Sequence, residues 1–132
     1  MIHPEYLETV FLAETPPQAW PERFHIITAF NPVVVLSDEI NSIADEELRK
    51  ELTNAGSRIF RITGCSPDLN HQEQGWGVSG LSQEKAVELG GRYGQNAIFE
   101  VSDGFLSVIG CQSGNRLPVD EWEKRILAGL SS

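Results

Sequence analysis

The chain predicts an α+β fold with α/β character: a single mixed β-sheet of about five to six strands, helices packed on it, and one C-terminal β-hairpin. Three observations carry this. Short apolar, β-rich runs alternate with segments of helical spacing. The run Phe24-His25-Ile26-Ile27-Thr28-Ala29-Phe30 stops at Asn31-Pro32, and a capped amphipathic helix follows within a few residues. Ser102-Asp103-Gly104 separates two apolar runs, which is a strong hairpin signal.

Taken in order, Tyr6 to Ala13 is ambiguous between a helical turn at Tyr6-Leu7-Glu8-Thr9 and a strand at Val10-Phe11-Leu12. Thr15 to Pro21 holds three prolines and reads as a loop. Phe24 to Phe30 is a buried strand. Ser37 caps the first helix, with Asp38 and Glu39 in the turn where the dipole favours acid. Ile40, Ile43, Ala44, Leu48, Leu52 and Ala55 form one apolar stripe, while Asp45, Glu46, Arg49 and Lys50 cover the outside. Gly56 ends that helix as a left-handed residue.

Arg58 to Thr63 alternates and reads as a strand, Ser66 to Gly75 as a polar, turn-rich loop, and Trp76 to Leu81 as a short strand. Ser82 caps a second helix through Ala86, Leu89, Gly90 and Tyr93; Gly90-Gly91 costs it about 1 kcal/mol each, offset by close packing on the sheet. Strands Ala97–Val101 and Phe105–Ile109 make the hairpin. Pro118 to Leu130 reads as a final helix with Trp122, Ile126, Leu127 and Leu130 inward.

The chain has 132 residues, 40% hydrophobic and 22% charged, with a net charge of −9. That suits one domain, residues 1–132, with a proper core. The acidity argues against nucleic acid and against anionic membranes as partners. The N-terminus lacks the basic start and apolar core of a signal peptide, so a cytoplasmic location is expected. Cys65 and Cys111 lie outside any CxxC pair and read as reduced, semi-buried thiols. No phosphate-binding glycine motif and no nucleophile elbow occurs, and the cofactor, if any, is left unknown.

Three segments carry candidate chemistry. Pro32 forces Asn31 out of helical geometry, and Asn41 sits in the first helical turn, one position off the stripe. If that helix returns over the sheet, both carboxamides approach the strand-end crevice beside Thr28, where they suit an amide or a purine edge. His71 and Glu73 point the same way in an extended segment, as an acid/base pair would. Gln95, after Gly94, is a buried anchor or a ligand contact. No metal site is assigned. His25 reads as structural.

Tyr6-x-x-Thr9, Ile27-Thr28-Ala29-Phe30-Asn31-Pro32, Ser37, Asn41, the His71-x-Glu73 loop and Tyr93-Gly94-Gln95-Asn96-Ala97-Ile98-Phe99 together resemble the bacterial domain-of-unknown-function family 3293. The likeness runs from about Tyr6 to Val108. It implies a stand-alone small bacterial domain and supplies no reaction. The leading expectation is therefore a cytoplasmic domain that binds a small polar metabolite, nucleotide-like ligands included, through an Asn/Gln/His-rich cleft. The alternatives are a hydrolase or transferase using His71 and Glu73, and a protein-interaction module with an acidic surface. Oligomeric state is left open.

Overall fold

The computed structural model describes residues 4–13, 19–29, 38–56 and 58–127. A short 3-10 helix (Pro4–Glu8) precedes β1 (Val10–Leu12), so the ambiguous N-terminal segment contains both elements. There follow β2 (Arg23–Thr28), α1 (Asp38–Ala55), β3 (Arg58–Cys65), β4 (Gln72–Ser79) and α2 (Gln83–Arg92). The chain continues with β5 (Ala97–Ser102), β6 (Phe105–Gly110), β7 (Arg116–Glu121), α3 (Trp122–Arg125) and β8 (Ile126–Leu127). Phe30, Asn31, Pro32 and Ser37 lie outside the described residues.

One eight-stranded sheet runs in the order β7-β6-β5-β2-β4-β3-β1-β8. Neighbours are antiparallel except β1 and β8, which are parallel. The segment β2-α1-β3-β4-α2-β5 occupies the order β5-β2-β4-β3. Each helix thus crosses over one intervening strand, the split βαβ or ferredoxin-like arrangement. The remaining strands extend both edges of this unit.

Those extensions curl the sheet. A flat eight-stranded sheet would hold its outer strands about 34 Å apart, at about 4.8 Å per strand. The chain passes from Glu121 at the end of β7 to Ile126 at the start of β8, on the opposite edge, through α3 alone. That distance in sequence reaches at most about 18 Å. The concave face is filled by Phe11, Phe24, Phe99 and Trp122, with Trp20 and Phe60 packed against them. Trp122 lies 5.2–5.6 Å from the rings of Phe11, Trp20 and Phe24. The other face carries α1 and α2 over Ile27, Leu48, Leu52, Val78, Leu89 and Ile98.

The Asp-Gly hairpin is as expected, with Asp103 and Gly104 both at positive φ. Other expectations are corrected. The sheet has eight strands, not five or six, and further antiparallel hairpins join β3 to β4 and β6 to β7. Only six residues, 66–71, remain as loop before β4, because Gln72 to Gly75 pair with β3. The expected C-terminal helix is a strand, one helical turn and a strand. Pro118 is tolerated there because β7 is an edge, at a register shift beside Ser107. Trp122 still points inward, whereas Leu127 is exposed and Leu130 lies outside the described residues.

Helix α1 is rotated from its apolar stripe. Leu48 and Leu52 are buried, but Ile40, Ile43 and Ala55 are exposed, and Asn41 and Asp45 face inward. Gly56 does not adopt the left-handed conformation; it is small because a Cβ there would overlap Val78. The same test separates the α2 glycines. A Cβ on Gly90 would meet Ile98 and Cys111, whereas one on Gly91 meets nothing within 4 Å.

Candidate functional site

The register places several predicted residues at one end of the sheet. Thr28 pairs with Gly75, Glu73 pairs with Gly64, and Gln95 stands two residues before β5. The N-terminal half of α1 lies toward the same end, because Gly56 contacts Val78 and Ser79 at the far end and Asp45 reaches Arg61, opposite Trp76. Asn31 lies outside the described residues.

The side chains do not converge on one face. Thr28 shares the face of Phe24 and Ile26, in the aromatic layer, and its hydroxyl donates to the Gln74 carbonyl at 2.8 Å. Asn41 lies over the opposite face, under α1. Gln95 is buried at the end of α2, where its backbone N–H donates to the Gly90 carbonyl and its side-chain amide N–H donates to the Tyr93 backbone carbonyl at 3.4 Å. His71 Nε2 lies 3.2 Å from Glu73 Oε2, but the His71 side chain is 75% exposed. Its loop is tied by Ser66, whose hydroxyl donates to Asp68 and whose backbone N–H donates to the His71 carbonyl. These bonds belong to the loop's own shape.

The densest polar arrangement that the sequence left unread is the layer between α1 and the sheet. Asp45 is 8% exposed and accepts two bonds from Arg61, at 2.9 and 2.7 Å. The Arg61 guanidinium also donates to the Gly75 carbonyl at 3.2 Å and sits 3.7 Å over the Trp76 ring. One turn before Asp45, Asn41 is 9% exposed, and its Oδ1 has no hydrogen-bond partner among the described residues. The same holds for Trp76 Nε1. Each such atom costs about 1–3 kcal/mol when left unsatisfied. An available signal was the wrong-way polarity of Ile40-Asn41 and Ile43-Ala44-Asp45, which becomes readable only once Leu48 and Leu52 define the inward face.

A second polar cluster lies under the start of α2. His25 and Glu100 are opposite one another on β2 and β5, 1% and 2% exposed. His25 Nε2 is 3.1 Å from Glu100 Oε2, without hydrogen-bond geometry. Arg23 donates to Glu100 at 3.2 Å, and Arg116 donates to Glu100 and to Gln83. Burial lowers the His25 pKa to about 4; the Glu100 carboxylate opposes this, and Arg23 and Arg116 reinforce it. Burial works to raise the Glu100 pKa, but Arg116, Arg23 and His25 outweigh it and hold the carboxyl below its ordinary value. A lone titratable residue inside each of two apolar strands was the legible hint.

A cleft of about 550 Å³ opens between α1 and α2, lined by Ala44, Glu47, Lys50, Glu51, Arg92 and Tyr93. Arg92 donates there to Glu51 and Glu88, and Tyr93 donates to Glu51 at 2.6 Å. Burial, then the Glu51 carboxylate, hold the Tyr93 hydroxyl well above its ordinary pKa. Both cysteines are free thiols. Burial raises the pKa of Cys65, and that of Cys111 to about 11, which opposes a nucleophilic role. Among the described residues, no three His, Cys, Asp or Glu side chains group as metal ligands. No helix among them is long and apolar enough to cross a membrane.

The family described as Protein of unknown function (DUF3293) matches residues 27–98. No curated protein and no solved structure matches the chain. The matched span runs from the end of β2 into β5, and so includes Asn41, Asp45, Arg61 and Trp76 but not His25, Glu100 or Arg116. As the match covers more than half of the chain, the protein belongs to this DUF3293 family.

Proposed function

We propose, from that membership, that this is a small cytoplasmic domain that binds a small polar molecule against the inward face of α1. One observation carries the reading. The N-terminal half of α1 turns Asn41 and Asp45 toward the sheet and leaves Ile40 and Ile43 exposed at 51% and 57%. Stability alone favours the reverse, and local rules are broken most often where function requires it. Asn41 is therefore the residue at the centre of the reading; it stands one turn before Asp45, whose partner Arg61 lies over the Trp76 ring. Thr28 and Gln95 lie at the same sheet end.

The test is a thermal-shift screen of nucleobases, nucleotides, amides and divalent metals, run on the wild type and on Asn41→Leu. A ligand specific to the folded state raises its stability. We expect Asn41→Leu to be more stable by about 1–3 kcal/mol, since it removes an unsatisfied buried acceptor, and to lose the ligand response. An undiminished response in the variant refutes the site.

A second reading has its own observation. The exposed Ile40 and Ile43 sit among Glu39, Glu46 and Glu47, which suits a basic protein partner. Such a complex would weaken steeply with salt. The acid/base reading of His71 and Glu73 has their 3.2 Å contact in its favour, but the imidazole stands in solvent rather than in a cleft.

A further inference from the structure

We infer that the cleft between α1 and α2 is a second ligand site and takes a zwitterion, a free α-amino acid with an apolar side chain. It lies on the flank of α1 and does not rest on the site under that helix's inward face. Two helices on one sheet face ordinarily pack ridge into groove, their axes about 8–10 Å apart. Here a space of about 550 Å³ opens between them, lined by Ala44, Glu47, Lys50, Glu51, Arg92 and Tyr93. That volume falls within the ~300–1,000 Å³ range of small-molecule sites. Arg92 and Tyr93 reach across to Glu51 and engage one carboxylate oxygen each, so Glu51 is a fixed bridge with both oxygens bonded.

Two opposite charges in the lining stay open. Glu47 and Lys50 make no ion pair among the described residues, although they stand three apart on α1. Glu46 and Arg49, at the same spacing on the same helix, close one at 2.5 Å. Glu47 lies near enough to Tyr93 for its charge to help, after burial and Glu51, to keep that hydroxyl protonated. Arg92 gives one bond to Glu51 and one to Glu88, and a guanidinium carries five donors, so it retains capacity beside Lys50. A lone anion in the cleft would meet Glu47 and Glu51, and a lone cation would meet Lys50 and Arg92. A neutral molecule would strip water from both open charges without replacing it. A zwitterion answers each with its opposite: its ammonium at Glu47, its carboxylate at Lys50 and Arg92.

The apolar part of the lining sets the rest of the ligand. Ala44 and Tyr93 are both packed on the hydrophobic layer beneath the helices, so their surfaces are held in place. Ile40 stands one turn before Ala44, and Ile43 one turn before Glu47, so both continue the same flank of α1 past the cleft. Both are more than half exposed. An apolar side chain laid toward them removes isoleucine surface from water. Glu47 and Lys50 are themselves exposed, so the ligand enters without parting α1 from the sheet, and ion pairs in such a setting give modest affinity.

Three probes test the inference: L-phenylalanine, its N-acetyl form, which lacks the ammonium, and its carboxamide, which lacks the carboxylate. Binding is followed by NMR titration of the isotope-labelled full chain, which reads affinity and location together. We expect phenylalanine to bind the wild type at millimolar concentration and to shift the amide signals of residues 44–51, 92 and 93. Each derivative should bind about three- to fivefold more weakly, having lost one exposed ion pair. Glu47→Gln should erase the preference for the free amine, and Lys50→Gln should narrow that for the free carboxylate, both with unchanged urea midpoints. Asn41→Leu should leave all three affinities as they are. Derivatives that bind as tightly as phenylalanine overturn the zwitterion assignment. Binding that neither Glu47→Gln nor Lys50→Gln alters, or that Asn41→Leu abolishes, overturns the cleft as its seat. Unmoved signals for these residues at millimolar phenylalanine overturn the inference as a whole.

Discussion

Acidification should weaken the folded state through His25, and the size of the effect follows from its surroundings. Two forces compete. Glu100, 3.1 Å away, favours the imidazolium; burial at 1% exposure disfavours it. Burial wins because Arg23 and Arg116 already pair with Glu100, leaving little field to stabilise a further cation. The folded pKa falls from 6.5 to about 4. Between those values the unfolded chain binds the proton and the folded chain does not, so stability rises with pH there and is lost as pH falls. The loss between pH 7.5 and 4.5 is about 2.5 kcal/mol, tending to about 3.4 kcal/mol below pH 4. At this chain length that is a fall in Tm of about 8–12 °C.

Glu100 acts at the acid edge of this window. Its folded pKa is lowered, so its stabilisation is present above the ordinary carboxyl pKa and disappears only as pH falls below it. Urea unfolding followed by tryptophan fluorescence, at half-unit pH steps, measures the whole curve. His25→Gln should flatten it between pH 6.5 and 4.5. Parallel curves for wild type and His25→Gln refute the reasoning. So does a wild type that gains stability relative to the variant between pH 7.5 and 5.5, because that sign requires an imidazolium paired with Glu100.

Other expectations follow from packing. Gly91→Ala should stabilise by about 0.5–1 kcal/mol, having open space and a better helix former, whereas Gly90→Ala should destabilise by about 1–3 kcal/mol; thermal melts of the two variants read the contrast. Arg61→Ala should cost about 2–3 kcal/mol in urea unfolding, since it leaves Asp45 unpaired at 8% exposure. Trp122→Ala should cost about 3–5 kcal/mol, because its ring joins the aromatic core to the strap between the sheet edges. His71→Ala should change stability by less than about 0.5 kcal/mol, and a larger loss would show that its loop is more than a solvated turn.

Local chemistry was legible in the chain. The Asp103-Gly104 turn, the Ser82 cap of α2, whose hydroxyl accepts from the Lys85 N–H at 3.1 Å, and the strand runs of β2, β3, β5 and β6 are settled by neighbours within a few residues. Such preferences act through turns and alternation, so residue order suffices to reveal them. The family was legible for a similar reason, through short runs such as Ile27-Thr28-Ala29 and Gly94-Gln95-Asn96-Ala97 within residues 27–98.

The rest needed the tertiary structure. Period-3.6 spacing allowed two rotations of α1, and only the sheet beneath it chose the one that buries Asn41 and Asp45 instead of Ile40 and Ile43. Arg61 reaches Asp45 across 16 residues, and His25 meets Glu100 across 75, through pairings that no local pattern encodes. Pro118 and Trp122 carry helix-like spacing, yet curling of the sheet makes them an edge strand and a plug. Residue order alone revealed the hairpin turn, the α2 cap, the strand runs of β2, β3, β5 and β6 and the family, because these depend on near neighbours. The polar layer under α1 was decided by the fold, because it is made of side chains whose nearness comes from strand order and helix rotation alone.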